Sequence, residues 1–248
     1  MIKIIYKEKN KEKIEKDILN AFDFVYKKFL IKTSNITVRV YDKRIDFDNQ
    51  LGWDTPNWLV AMASNNGNLI DILSPLALKN ESSHEANEFA SILKHEFTHI
   101  FFVYLSNGST RPMWLNEGLA NYIAKKHRHD KKIIVKPKFC KTLSTSKDWD
   151  KRVKDGAYTI SAKFVYFLIK KYSFKKIKEL INSLDKEYNY TSFRKIFLKV
   201  YNKDVEYIEE LFIKKRCSES ETPFFNYIIR RDYFNPNFFK ISAGIAFL

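Results

Sequence analysis

Ser82-Ser83-His84-Glu85-Ala86-Asn87-Glu88-Phe89-Ala90-Ser91-Ile92-Leu93-Lys94-His95-Glu96-Phe97-Thr98-His99-Ile100-Phe101-Phe102-Val103-Tyr104-Leu105 is the stretch around which the rest of the chain arranges itself. Ser82 and Glu85 stand three residues apart, as in a capping box, with Ser82 as the N-cap and Glu85 reaching back. From there to about Leu105 the residues favour helix, and Phe89, Ile92, Leu93, Phe97, Ile100 and Phe101 make the helix apolar. His95, Glu96 and His99 interrupt this apolar surface. Three ionisable side chains on a buried helix are costly unless something compensates them.

Working outward, the upstream segment Lys9 to Lys32 repeats apolar residues at helical spacing: Ile14, Ile18, Leu19, Ala21, Phe22, Val25, Tyr26 and Phe29. Ile36 to Tyr41 is short and β-branched, which predicts a strand. Trp58 to Ala63 and Leu69 to Leu73 are two more apolar runs, joined by Ser64-Asn65-Asn66-Gly67-Asn68. Asn-Gly between two such runs is a hairpin signal. Downstream, a loop at 106–112 leads to a second helix from about Asn116 to His127. Residues 128–156 read as irregular, with one short strand at Ile133-Ile134-Val135. Helices then follow over 158–172, 174–184, 191–201 and 204–215. Strands come first and helices after, which predicts an α+β fold with a small, mostly antiparallel sheet rather than a doubly wound one. Residues 1–217 read as a single domain, with 218–248 as an aromatic-rich tail after a Ser/Glu/Pro linker.

The chain has 248 residues and is 45% hydrophobic, enough for a sizeable core, which excludes global disorder. Its net charge is +15, and between Lys125 and Arg216 there are 26 basic and 11 acidic residues, so the whole excess lies there. Such a surface would attract acidic substrates, nucleic acid or an anionic membrane. A solvated, Lys-rich helix face explains it as well, and lysine is the weaker reader of phosphate. Two cysteines, Cys140 and Cys217, exclude a disulfide scaffold and a Cys-rich zinc module. No apolar run approaches the roughly 18 to 20 residues of a membrane span. The start of the chain turns charged too soon for a signal peptide, so the expected compartment is the cytoplasm.

His95-Glu96-Phe97-Thr98-His99 is an H-E-x-x-H motif. On a helix, residues four apart share a face at about 5 to 6 Å, so both imidazoles can converge on one metal ion. Zinc suits neutral imidazole nitrogen and prefers four ligands. Glu96, one position round the helix, is placed to act on water as a general base. A catalytic zinc needs a third protein ligand and an open position. A third His at the H-E-x-x-H-x-x-G-x-x-H spacing is excluded, because Phe102 and Leu105 occupy the Gly and His positions. Glu117, in Trp114-Leu115-Asn116-Glu117-Gly118-Leu119-Ala120, is the better candidate. The 17 residues between His99 and Glu117 suffice to leave one helix and return on another.

H-E-F-T-H followed by W-L-N-E-G-L-A resembles the gluzincin superfamily of zinc peptidases, nearest to the catalytic core of the M1-type aminopeptidases and their stand-alone MA-like relatives. The resemblance covers about Ile36 to Lys215. It implies a zincin-like helical core, one Zn2+ held by His95, His99 and Glu117, and Glu96 as the base. Those enzymes also supply a tyrosine from a later helix to steady the oxyanion. Tyr158, opening Ala157-Tyr158-Thr159-Ile160-Ser161-Ala162, is the position that matches. The aminopeptidases carry G-x-M-E-N before the zinc helix, with a Glu for the free amine of the substrate. Here Val60-Ala61-Met62-Ala63-Ser64-Asn65 lacks it, so the expectation is an endopeptidase or a specialised processing enzyme acting on peptide or protein. As an edge strand this run can still pair with an extended backbone.

Two other readings compete: a binding protein that keeps the zinc fold without turnover, and a basic protein associating with nucleic acid through 125–216. Among secondary candidates, Asn121 lies one turn after Glu117 and can steady a ligand. His127-Arg128-His129-Asp130 sits at a charged helix end, His84 reads as a surface residue, and both cysteines read as ordinary thiols.

Overall fold

The computed structural model describes residues 2–6, 11–33, 35–125 and 137–219, with side chains to 215. In chain order the elements are β1 (Ile2–Ile5), α1 (Lys11–Phe29), β2 (Ile36–Tyr41), α2 (Arg44–Leu51), β3 (Ala61–Ala63), β4 (Leu69–Leu73), α3 (Pro75–Glu81), a 3-10 turn (Ala86–Glu88) and α4 (Phe89–Leu105). Then come α5 (Met113–Ile123), α6 (Phe139–Thr142), α7 (Ser146–Arg152), α8 (Ala157–Tyr172), α9 (Phe174–Asn182), α10 (Tyr190–Tyr201) and α11 (Val205–Glu219). The fold is α+β, as expected. The proposed strand 133–135, the His127–Asp130 cluster and residues 220–248 lie outside the described residues. The described residues cluster into two compact units, one within 1–110 and 123–125, the other within 111–122 and 126–238.

In the first unit the sheet runs β1-β2-β4-β3. β2 pairs parallel with β1 and with β4, and only β3 and β4 are antiparallel. The sheet is therefore mixed, not mostly antiparallel. The reason is β1, a strand that four residues beside a lysine-rich stretch do not advertise. Once it pairs with β2, helix α1 becomes a crossover between parallel neighbours, the connection such a pair requires. Ile36, Val38 and Val40 alternate into the core. On the other face Arg39 forms a bidentate pair with Asp71 at 2.6 and 2.7 Å, and Tyr41 donates to the same carboxylate at 2.6 Å. The Asn66-Gly67 hairpin forms as expected, with Gly67 at φ 72°, a conformation glycine adopts without strain.

Pro75 follows β4 closely. It is the first residue of α3, with the Ser74 hydroxyl accepting from the Ala77 N–H, a position where proline's missing N–H costs nothing. The helix carrying H-E-x-x-H starts later than expected. Ser82 closes α3 instead: its hydroxyl donates to the Leu78 carbonyl and accepts from the His84 N–H. The capping box is set by Glu85 and Glu88, one turn on. α4 is almost wholly buried. Phe22 and Phe29 of α1 pack on Phe97 and Phe101 at centroid distances of 5.3 to 5.6 Å, and β3 lies against α4.

The second unit is built around aromatic side chains. Trp114 packs on Phe164 at 5.3 Å, Phe139 on Phe164 at 5.0 Å, and Phe164 on Phe212 at 5.2 Å. Residues 137–156, expected to be irregular, contain α6 and α7. The Thr145 hydroxyl caps α7 by accepting from the Asp148 N–H. α5 and α8 approach closely at Gly118, where a Cβ would stand 2.6 Å from the Ser161 carbonyl oxygen. α5 also begins at Met113, three residues before the expected Asn116, so Glu117 stands in its second turn rather than at its start.

Candidate metal centre

α4 places His95 and His99 one turn apart, and both are buried. Their rings meet edge to face, 4.7 Å between centroids at 83°, and the two Nε2 atoms approach to 3.0 Å. The nitrogens thus aim at common ground. Glu117, fully buried on α5, completes the group: one ligand atom from each of His95, His99 and Glu117 lies within 4.8 Å of the others. Among the described residues this is the group that can hold a metal ion. Its chemistry fits zinc. Two imidazole nitrogens and one carboxylate oxygen leave a fourth position open. At bond lengths of about 2.0 to 2.2 Å, tetrahedral ligand atoms stand about 3.3 Å apart. The two imidazole nitrogens, 3.0 Å apart, are near that spacing.

Glu96 follows His95 on α4 and is 1% exposed. It belongs to the same buried stretch and not to the three-residue group. Asn121 does bond to Glu117, though through the backbone: its amide donates to the Glu117 backbone carbonyl at 3.0 Å. Tyr158 is the second residue of α8. It is buried and sets its ring perpendicular to Trp149 at 4.9 Å.

Two residues have more structure around them than their sequence suggested. His84, read as surface, is buried. Its Nδ1 lies 2.9 Å from the Glu88 carboxylate and its Nε2 lies 3.2 Å from the Trp58 carbonyl. It thereby ties the entry of α4 to the segment that leads into β3. The signal in the sequence is Glu88, four residues on. Cys140 is buried with its thiol pKa raised, first by desolvation and then by Glu209. Lys94, just before the motif, is held below the usual lysine range by burial and by Lys125.

Comparison with known proteins gives one family. The family model BSP, described as peptidase of plants and bacteria, matches residues 59–208, more than half of the chain. The matched span contains β3, β4, the H-E-x-x-H helix, Glu117 and Tyr158. No curated protein and no solved structure matches the chain. On the strength of that span, the chain belongs to the BSP family, the peptidases of plants and bacteria.

Proposed function

We propose that this protein is a zinc-dependent peptidase of the gluzincin type that hydrolyses internal peptide bonds of peptide or protein substrates. The observation that carries the reading is the convergence of His95, His99 and Glu117 on ligand atoms within 4.8 Å. These three residues would hold the ion. When bound, zinc supplies Lewis acidity, which favours ionisation of water near neutral pH and polarises the scissile carbonyl.

The remaining work falls to the chain. Glu96 accepts a proton from the attacking water and returns it to the departing amine. Glu96 is buried beside His95 on α4, and a side chain fixed in place suits a proton carrier. The Tyr158 hydroxyl donates to the oxygen on which negative charge develops. Among the described residues β3 is an edge of the sheet, with β4 on one side, so its outer backbone edge suits an extended substrate. Burial of the donor set limits competing water.

The test is a pair of measurements on wild type and Glu96→Gln. Elemental analysis is expected to give about one zinc per chain in both. Turnover of a mixed peptide library is expected in wild type and to vanish in the variant. Full activity in Glu96→Gln would overturn the mechanism. Absence of zinc from both proteins after reloading at neutral pH would overturn the metal assignment.

A further inference from the structure

Glu209 lies on α11, 1% exposed, in a part of the second unit that the proposed chemistry does not use. Its Oε1 accepts the Cys140 N–H at 2.6 Å, at the start of α6. Its Oε2 is buried with no hydrogen-bond partner among the described residues. α6 leads directly to the beginning of α5. The Ser144 hydroxyl donates back to the Cys140 carbonyl and receives a hydrogen bond from the Tyr188 hydroxyl at 2.7 Å. The Leu143 and Ser144 carbonyls accept the N–H groups of Trp114 at 2.9 Å and Met113 at 3.0 Å. Those two amides belong to the first turn of α5 and have no helical partner of their own. Glu117 lies one turn further on.

We infer that Glu209 is a positioning residue for Glu117: its carboxyl pins α6 to α11, and α6 fixes the first turn of the helix that carries the proposed ligand. The inference rests on the metal reading only for its consequence at the site. The hydrogen-bonded path itself stands on the fold. Aromatic packing follows the same route, because Phe139 of α6 contacts Phe164 of α8 and Phe212 of α11, while Trp114 of α5 contacts Phe164.

The pin also responds to pH. Burial pushes the Glu209 carboxyl up to about 7, partly opposed by the amides of Cys140 and Lys138. The groups that face it are Cys140 on α6, Tyr190 on α10, and Glu206 one turn earlier on α11, itself bonded by Tyr190 and Arg194. Neutral Glu209 accepts the Cys140 amide without placing a charge in the interior. Above neutrality it must ionise there beside Glu206, and separation of α6 from α11, which lets water reach the carboxylate, becomes easier.

The test is amide hydrogen exchange across residues 111–117 in the metal-free, full-length protein, corrected for intrinsic rates, at pH 6 and pH 8. Wild type is expected to lose protection there between the two conditions, by about tenfold or more. Glu209→Gln, neutral at both, is expected to stay protected. Glu209→Ala, with no acceptor for Cys140, is expected to be poorly protected throughout. Equal protection in all three proteins would overturn the proposal. If Glu209→Ala fails to fold, the comparison of wild type with Glu209→Gln decides alone, and a parallel fall with pH in both would sink it. Zinc affinity measured by chelator competition on the same samples is expected to weaken where protection falls. Failure of the wild type to bind zinc would remove the metal reading while the exchange data still judged the pin.

Discussion

Buried ionisable groups are where this chain spends stability, and Glu209 is the one whose balance can be measured. In the folded protein its carboxyl is raised to about 7, against an ordinary value of 4.5. Between those two pH values the unfolded chain is ionised and the folded chain is protonated. Folding therefore takes up a proton, and this contribution to stability falls as pH rises from 4.5 to about 7. The whole span amounts to about 3 kcal/mol. Chemical denaturation of wild type and Glu209→Gln across pH 4.5 to 8 is expected to show a difference that grows with pH in favour of the Gln variant and levels off above 7. A difference independent of pH would mean that Glu209 is ionised inside the fold throughout. The residue could not have been singled out from sequence. It is one of four acidic residues in 204–210, and only packing against α6 distinguishes it. The sequence did single out His95, His99 and Glu117, because ionisable side chains within apolar helices are costly alone, and these three stand together as a buried group that could hold an ion.

Elements were legible where the signal was local. β2 and β4 form at the residues expected, because alternation of apolar side chains and an Asn-Gly turn are properties of short stretches. Where neighbours decide, local reading fell short. β1 owes its place to pairing across a crossover helix. α6 and α7 are stabilised by Glu209 and by the Thr145 cap. Ser82 had two competing roles, and the end of α3 won over the start of α4. The contact of α5 with α8 belongs to this same scale. Gly118 brings its backbone against α8, and an added Cβ would meet the Ser161 carbonyl oxygen at 2.6 Å, its carbon at 2.8 Å and Val165 at 2.9 Å. Two of these atoms are backbone and cannot rotate away. Gly118→Ala therefore forces the helices apart, at a cost of about 1 to 3 kcal/mol from overpacking. The gain in helix propensity, at most about 1 kcal/mol, recovers part of it. The expected net effect is destabilisation in urea denaturation, with weaker zinc binding because Glu117 is the preceding residue. An unchanged or raised midpoint would show that the pair of helices can slide without loss.

Across the whole molecule, a metal that binds only the folded chain must raise its stability by mass action. The three proposed ligands come from α4 and α5, and an unfolded chain presents them as widely separated groups. Free zinc at one hundred times its dissociation constant is then worth about 2.7 kcal/mol. For a chain of this size, each kcal/mol moves the thermal midpoint by about 2 to 4 °C. Zinc is thus expected to raise the midpoint of chelator-treated protein by about 5 to 10 °C. Glu117→Ala is expected to respond weakly or not at all, because two imidazoles alone leave the ion with half its coordination. Magnesium, which prefers oxygen ligands and an octahedral shell, is expected to give no shift at the same concentration. The basic excess between 125 and 216 does not confuse this result, since it repels cations and would oppose rather than mimic a zinc effect. Equal shifts in wild type and Glu117→Ala would mean that the ion binds elsewhere, and the convergence of His95, His99 and Glu117 would then be packing alone.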